Sequence, residues 1–114
     1  MKPISAYSIL EELGNDALYR YIYENITETT FDSHRITNPF PQDFKDYYDR
    51  MLIAHEDKGD IRNRNVVIAN CIGFYLGHNS EALRIEKIGE VKSTNMNGEE
   101  SQTSLWKKLD KLSK

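Results

Sequence analysis

The chain has 114 residues, a formal net charge of −3, 39% hydrophobic residues and a single cysteine. That length fits one domain, 1–114, whose core needs no disulfide or structural metal, and a lone thiol excludes an internal disulfide and a cysteine-based zinc site. The charge is unevenly divided: residues 1–60 carry twelve Asp and Glu against six Lys and Arg, residues 61–114 carry six against nine, and six of the seven tyrosines lie between Tyr7 and Tyr48. An acidic front and a basic back point to electrostatic docking rather than to chemistry.

Tyr7, Leu10 and Leu13, then Leu18, Tyr21 and Ile22, keep a helical rhythm interrupted at Gly14-Asn15-Asp16, so two short helices are expected over 5–13 and 16–26. Residues 27–40 read as a loop, because Asn38-Pro39 and Phe40-Pro41 push their backbone out of the helical region. Phe44, Tyr47, Tyr48, Met51, Leu52 and His55 then recur at helical spacing and predict a helix over 41–57. Its opposite face carries Asp43, Asp46, Asp49, Arg50 and Asp57.

Asp60 is a candidate N-cap for a helix over 61–77, in which Ala69, Gly73 and Gly77 place small residues on one face where another helix could approach. A buried strand through Val66–Ile68 competes with that reading, and residues 80–88 fit a helix and a strand equally. Residues 92–102 are polar and read as a loop with Asn97-Gly98 at its tip. Leu105, Trp106, Leu109 and Leu112, ringed by lysines, predict an amphipathic C-terminal helix over 103–113. The expected fold is therefore mainly α, a compact bundle of four to six short helices, with 41–57 and 61–77 as a central antiparallel pair and a small β element around 65–92 left open.

No apolar stretch approaches the roughly 20 residues of a membrane-spanning helix, and the first residues lack the apolar run of a signal peptide. A cytoplasmic location is the expectation. Cys71 sits in an apolar run and reads as a buried small side chain. His55-Glu56-Asp57 with Asp60 matches neither a zinc-protease helix nor an EF-hand loop and reads as a solvated helix end. The six glycines form no phosphate-cradling cluster. No cofactor and no metal are expected.

Arg50-Met51-Leu52-Ile53-Ala54-His55 resembles the signature of HEPN ribonucleases, an arginine followed by four to six residues and a histidine. The resemblance implies an all-helical domain in which Arg50 and His55 act on an RNA phosphodiester, with two subunits completing the site. The chain departs from the pattern at Met51, where that family places a polar residue. On an ideal helix the two side chains would also point about 140° apart.

The leading expectation is a small acidic binding protein acting by protein–protein interaction, of the inhibitor, immunity or phage-antagonist class. Asp43, Asp46, Asp49, Asp57 and Asp60 would meet a basic surface, such as that of a nucleic-acid-binding protein, with Tyr19 or Tyr23 as anchors. Direct nucleic-acid binding is not expected at a pI near 5.6. The HEPN-like nuclease and a self-associating module built on the Ala69, Gly73, Gly77 face, with a homodimer as its product, remain as alternatives.

Overall fold

The structure, a computed structural model, describes residues 4–110. Helix α1 (Ala6–Leu13) opens with a capping box, in which the Ser5 hydroxyl accepts from the Ser8 N–H and the Ser8 hydroxyl accepts from the Ser5 N–H. Such reciprocal caps contribute about 1 kcal/mol. Gly14, at φ +90°, closes α1 and opens α2 (Asn15–Asn25), as the Gly-Asn-Asp punctuation predicts.

The expected loop over 27–40 is largely structured. It contains a short strand, β1 (Thr30–Asp32), a single-turn helix, α3 (His34–Thr37), and the start of another, α4 (Phe40–Asp43). Likewise, the expected 41–57 helix divides into α4, α5 (Lys45–Ala54) and a 3-10 turn, Glu56–Lys58. Phe44 makes the break at φ −130°, ψ 49°, with its ring packed against Phe40 at 5.0 Å and Tyr21 at 5.1 Å. Ring burial there outweighs one more turn of helix.

Asp60 caps α6 (Ile61–His78), its carboxylate accepting from the Asn63 N–H at 3.0 Å. The helical reading of this segment is the one adopted. Asn65, Ile68, Ile72, Tyr75 and Leu76 form its buried stripe, and α1 packs against both α5 and α6. With Ile9, Leu10, Ile22, Phe40 and Met51 the apolar members of this stripe belong to the core; each fully buried one contributes about 1.5–3 kcal/mol.

The mainly α bundle is overturned beyond α6. A short helix, α7 (Ser80–Leu83), leads through Arg84 in the left-handed region into β2 (Ile85–Thr94), which pairs antiparallel with β3 (Glu100–Lys108). β3 pairs on its other side with β1, giving a three-stranded antiparallel sheet of order β1-β3-β2. The protein is a mixed α/β domain with seven α-helices among the described residues. The β structure comprises Thr30–Asp32, Ile85–Thr94 and Glu100–Lys108 and meets the expected 65–92 element only over 85–92.

The expected loop at 92–102 is the distal end of this hairpin, with Gly98 at φ +80° in its turn. The expected helix over 103–113 is a strand as far as Lys108, and residues 111–114 lie outside the described residues. Pairing explains the strand: Trp106 stands opposite both Phe31 and Lys87, and its indole N–H donates to the Ser33 hydroxyl at 2.8 Å. An isolated helix of about ten residues would lack that ladder and be marginal in water. Lys108 is only 3% exposed; its ammonium donates to the Ile26 carbonyl at the end of α2 and lies 5.2 Å from the centre of the Tyr23 ring. Loss of hydration pushes the Lys108 pKa down.

Candidate functional site

The five acids singled out from the sequence lie along α4, α5 and the turn into α6 and have different roles. Asp43 accepts from the Tyr21 hydroxyl at 2.6 Å, Asp49 pairs with Lys45 at 2.5 Å, and Asp60 caps α6. Burial and the Asp43 carboxylate together push the Tyr21 pKa far up. Asp46 and Asp57 are exposed and make no hydrogen bond or ion pair among the described residues. Between them on the outer face of α5 is Ile53, 68% exposed, and beside Asp60 is Ile61, 56% exposed. Arg64 holds the turn that joins these positions, donating to the Gly59 carbonyl at 2.7 Å and the Leu52 carbonyl at 3.4 Å.

Tyr19 and Tyr23 are not part of this surface. They stack on each other at 4.5 Å and bind the base of the sheet: the Tyr19 hydroxyl donates to Asp110 at 2.7 Å and the Tyr23 hydroxyl to the Arg84 carbonyl at 2.6 Å. Tyr21, about 200° around α2 from Tyr19, is the ring that meets an acid from the predicted set. Arg84 also donates to Asp110 at 3.0 Å. These two donors hold the Asp110 carboxyl below the usual carboxylate range.

Arg50 and His55 are not brought together either. Arg50 pairs with Glu12 at 2.8 Å, while His55 Nε2 accepts from the Ala6 N–H at 2.9 Å. Both side chains serve to dock α1. Among the described residues no group of three His, Cys, Asp or Glu is placed to hold a metal ion. Cys71 is half-buried, and burial pushes its thiol pKa up, away from a reactive thiolate.

A second surface was only partly visible in the sequence. α6 has another stripe opposite its core face, comprising Val66, Ala69, Asn70, Gly73, Phe74 and Gly77, which forms one wall of a groove of about 730 Å³. The β2–β3 hairpin forms the other wall, and Ser33, His34 and Trp106 contribute to its lining. Phe74 is 63% exposed, and a Cβ at Gly73 or Gly77 would meet nothing within 4 Å. The small-residue face therefore looks onto open space, not onto another helix of this chain.

The tip of the hairpin is fastened to the start of α6. Asn65 Nδ2 donates to Asn97 Oδ1 at 3.0 Å, Asn97 Nδ2 donates to the Arg62 carbonyl at 2.9 Å, and Arg62 pairs with Glu99 at 2.9 Å. Below it, His34 Nδ1 lies 2.6 Å from the Ser93 hydroxyl and Nε2 lies 3.4 Å from that of Ser101. The charges in the groove largely cancel, since Lys87 and Glu90 pair at 3.1 Å. In the sequence His34 reads only as a loop residue and Lys87 only as one of several scattered basic residues, and Glu90 and Gln102 carry no signal; the one pointer to the groove is a helix with small and apolar residues outside its core stripe.

Fold and surfaces define a small α/β domain with exposed isoleucines and carboxylates on the outer face of α5 and its following turn, and a neutral groove. No family model, no curated protein and no solved structure matches the chain. Among the described residues no helix is long and apolar enough to cross a membrane.

Proposed function

We propose that this chain is a binding protein that acts by protein–protein interaction, presenting the outer face of α5 and the α5–α6 turn to a basic surface on its partner. The observation that carries this reading is the placement of exposed Ile53 and Ile61 among acids, two of which, Asp46 and Asp57, have no partner among the described residues. Exposed apolar side chains supply contact area that is removed from water on docking, and the surrounding carboxylates steer a positively charged partner and set its orientation. A domain docking in this way would act as an inhibitor, an immunity protein or an antagonist of a nucleic-acid-binding protein. Asp43, Asp49 and Asp60 contribute charge to the face while also serving the fold.

The test is a charge swap confined to the acids without structural duties. Asp46→Lys with Asp57→Lys should leave the thermal midpoint near that of the wild type and abolish salt-sensitive capture of the partner from the native host. Undiminished capture by the folded double variant would remove the proposal.

A further inference from the structure

One wall of the groove is an open strand edge. β1 covers only Leu105, Trp106 and Lys107 of β3, and the chain then turns away at Ser33, whose N–H still donates to the Ser104 carbonyl at 3.1 Å. From Glu100 to Thr103, β3 has a neighbouring strand on the β2 side alone. Main-chain groups alternate in direction along a strand. The Lys108 N–H donates to the Thr29 carbonyl and the Ser104 carbonyl accepts from Ser33, so the even-numbered residues face the β1 side, and Gln102 faces it with them.

The Gln102 N–H and C=O and the Ser104 N–H therefore point away from β2, and none has a partner on that side among the described residues. The Ser33 carbonyl, which would otherwise take the Ser104 N–H, accepts instead from Ile36 and Thr37. Ser101, Gln102, Thr103 and Ser104 all line the groove. Because side chains of consecutive strand residues point to opposite faces, four consecutive lining residues are the pattern of a strand seen from its edge.

We propose that the groove receives an extended segment of a partner polypeptide, which adds a strand to the Glu100–Ser104 edge of β3. Unpaired N–H and C=O groups at strand spacing are satisfied by another main chain, and five residues of edge offer about 17 Å of pairing. The opposite wall selects the side chains. Alternate residues of the segment would face Val66, Phe74 and the space above Gly73 and Gly77, so they should be apolar, and the mutual pairing of Lys87 and Glu90 favours a segment without net charge. This surface is separate from the acidic face, and the two proposals stand or fall independently.

The probe is a random peptide library displayed on phage and selected against the full chain, with enriched sequences resynthesised for fluorescence anisotropy. Two variants interrogate the site. Gln102→Pro removes the outward N–H without touching the ladder to β2, and Gly73→Leu with Gly77→Leu fills the groove at positions with room for a side chain. Enriched peptides should carry apolar residues at alternate positions and lose about tenfold or more in affinity to each variant, and N-methylation at every second residue should weaken them while methylation between does not. Three results would overturn the proposal: no enrichment over the Gly73→Leu, Gly77→Leu chain; binding indifferent to Gln102→Pro and to the methylation phase; or occupation of the groove by a second copy, seen as a wild-type dimer that the leucine variant makes monomeric.

Discussion

Arg50 and His55 grip opposite ends of the same helix: Arg50 pairs with Glu12 in the last turn of α1, and His55 accepts the N–H of Ala6 at its first residue. Two residues five apart on α5 and its cap thereby span the length of α1. The Arg50–Glu12 pair is largely exposed, with side chains 46% and 56% accessible, whereas Ala6 is fully buried.

The two contacts should differ in cost. Arg50→Ala is expected to lower stability by no more than about 1 kcal/mol, and His55→Ala by about 1–3 kcal/mol, because it leaves a buried N–H without an acceptor. Urea denaturation of both variants measures this. An Arg50 loss equal to or larger than that of His55 would contradict the assignment, and RNA cleavage by the wild type that both variants abolish would restore the nuclease reading.

The Tyr48 hydroxyl donates to Asn65 Oδ1 at 2.6 Å, and Asn65 passes the connection to Asn97 at the hairpin tip. Asn65→Ala should cost about 2 kcal/mol, since it leaves a buried tyrosine hydroxyl unpaired. Asn97→Ala should instead leave global stability nearly unchanged and speed amide hydrogen exchange in residues 95–99. Equal exchange there in the wild type and Asn97→Ala would show that the tip is held by other means.

Asp110 gives stability a pH dependence of known sign. Its folded carboxyl lies below the usual carboxylate range because Tyr19 and Arg84 donate to it. Its contribution is therefore complete above the usual carboxylate pKa and is lost as pH falls through the depressed folded value. Between pH 6 and pH 3 the wild type should lose more of its urea midpoint than Asp110→Asn. Parallel losses would mean that Asp110 is not coupled to folding.

Cys71 should behave as a protected thiol. Its pKa is raised by burial, partly offset by the Tyr7 backbone. Reaction with Ellman's reagent at pH 8 should be slow in the folded chain and rapid in urea. A fast folded-state reaction would place the thiol in a more open setting.

Helices α1, α2 and α6 were legible because they obey local rules, whereas α3, α4 and the break at Phe44 were not. Ser5, Gly14 and Asp60 mark helix ends by side-chain caps and positive φ, and α6 carries a buried stripe of helical period. The hairpin was legible only as an undecided strand reading of 80–88 and a tip at Asn97-Gly98, because β2 buries only Ile85 of its ten residues and carries no sustained alternation of apolar and polar positions. β3 is held as a strand by β2 along its whole length and by β1, where Trp106 pairs with Phe31 across most of the chain. Leu105, Trp106 and Leu109 happen to share helical spacing as well, and nothing local separates the two readings. The acidic face was visible as composition, but the diversion of Asp43 to Tyr21 and of Tyr19 and Tyr23 to the sheet base arises only from tertiary packing.

The most direct test of the binding account is capture from the native host at low and moderate salt, with wild type, Ile53→Asp and the Asp46→Lys, Asp57→Lys chain run side by side. One stoichiometric protein partner with a basic surface should be retained by the wild type, released by added salt and lost from both variants. A partner held equally by all three chains, or RNA alone in the captured material, would contradict it.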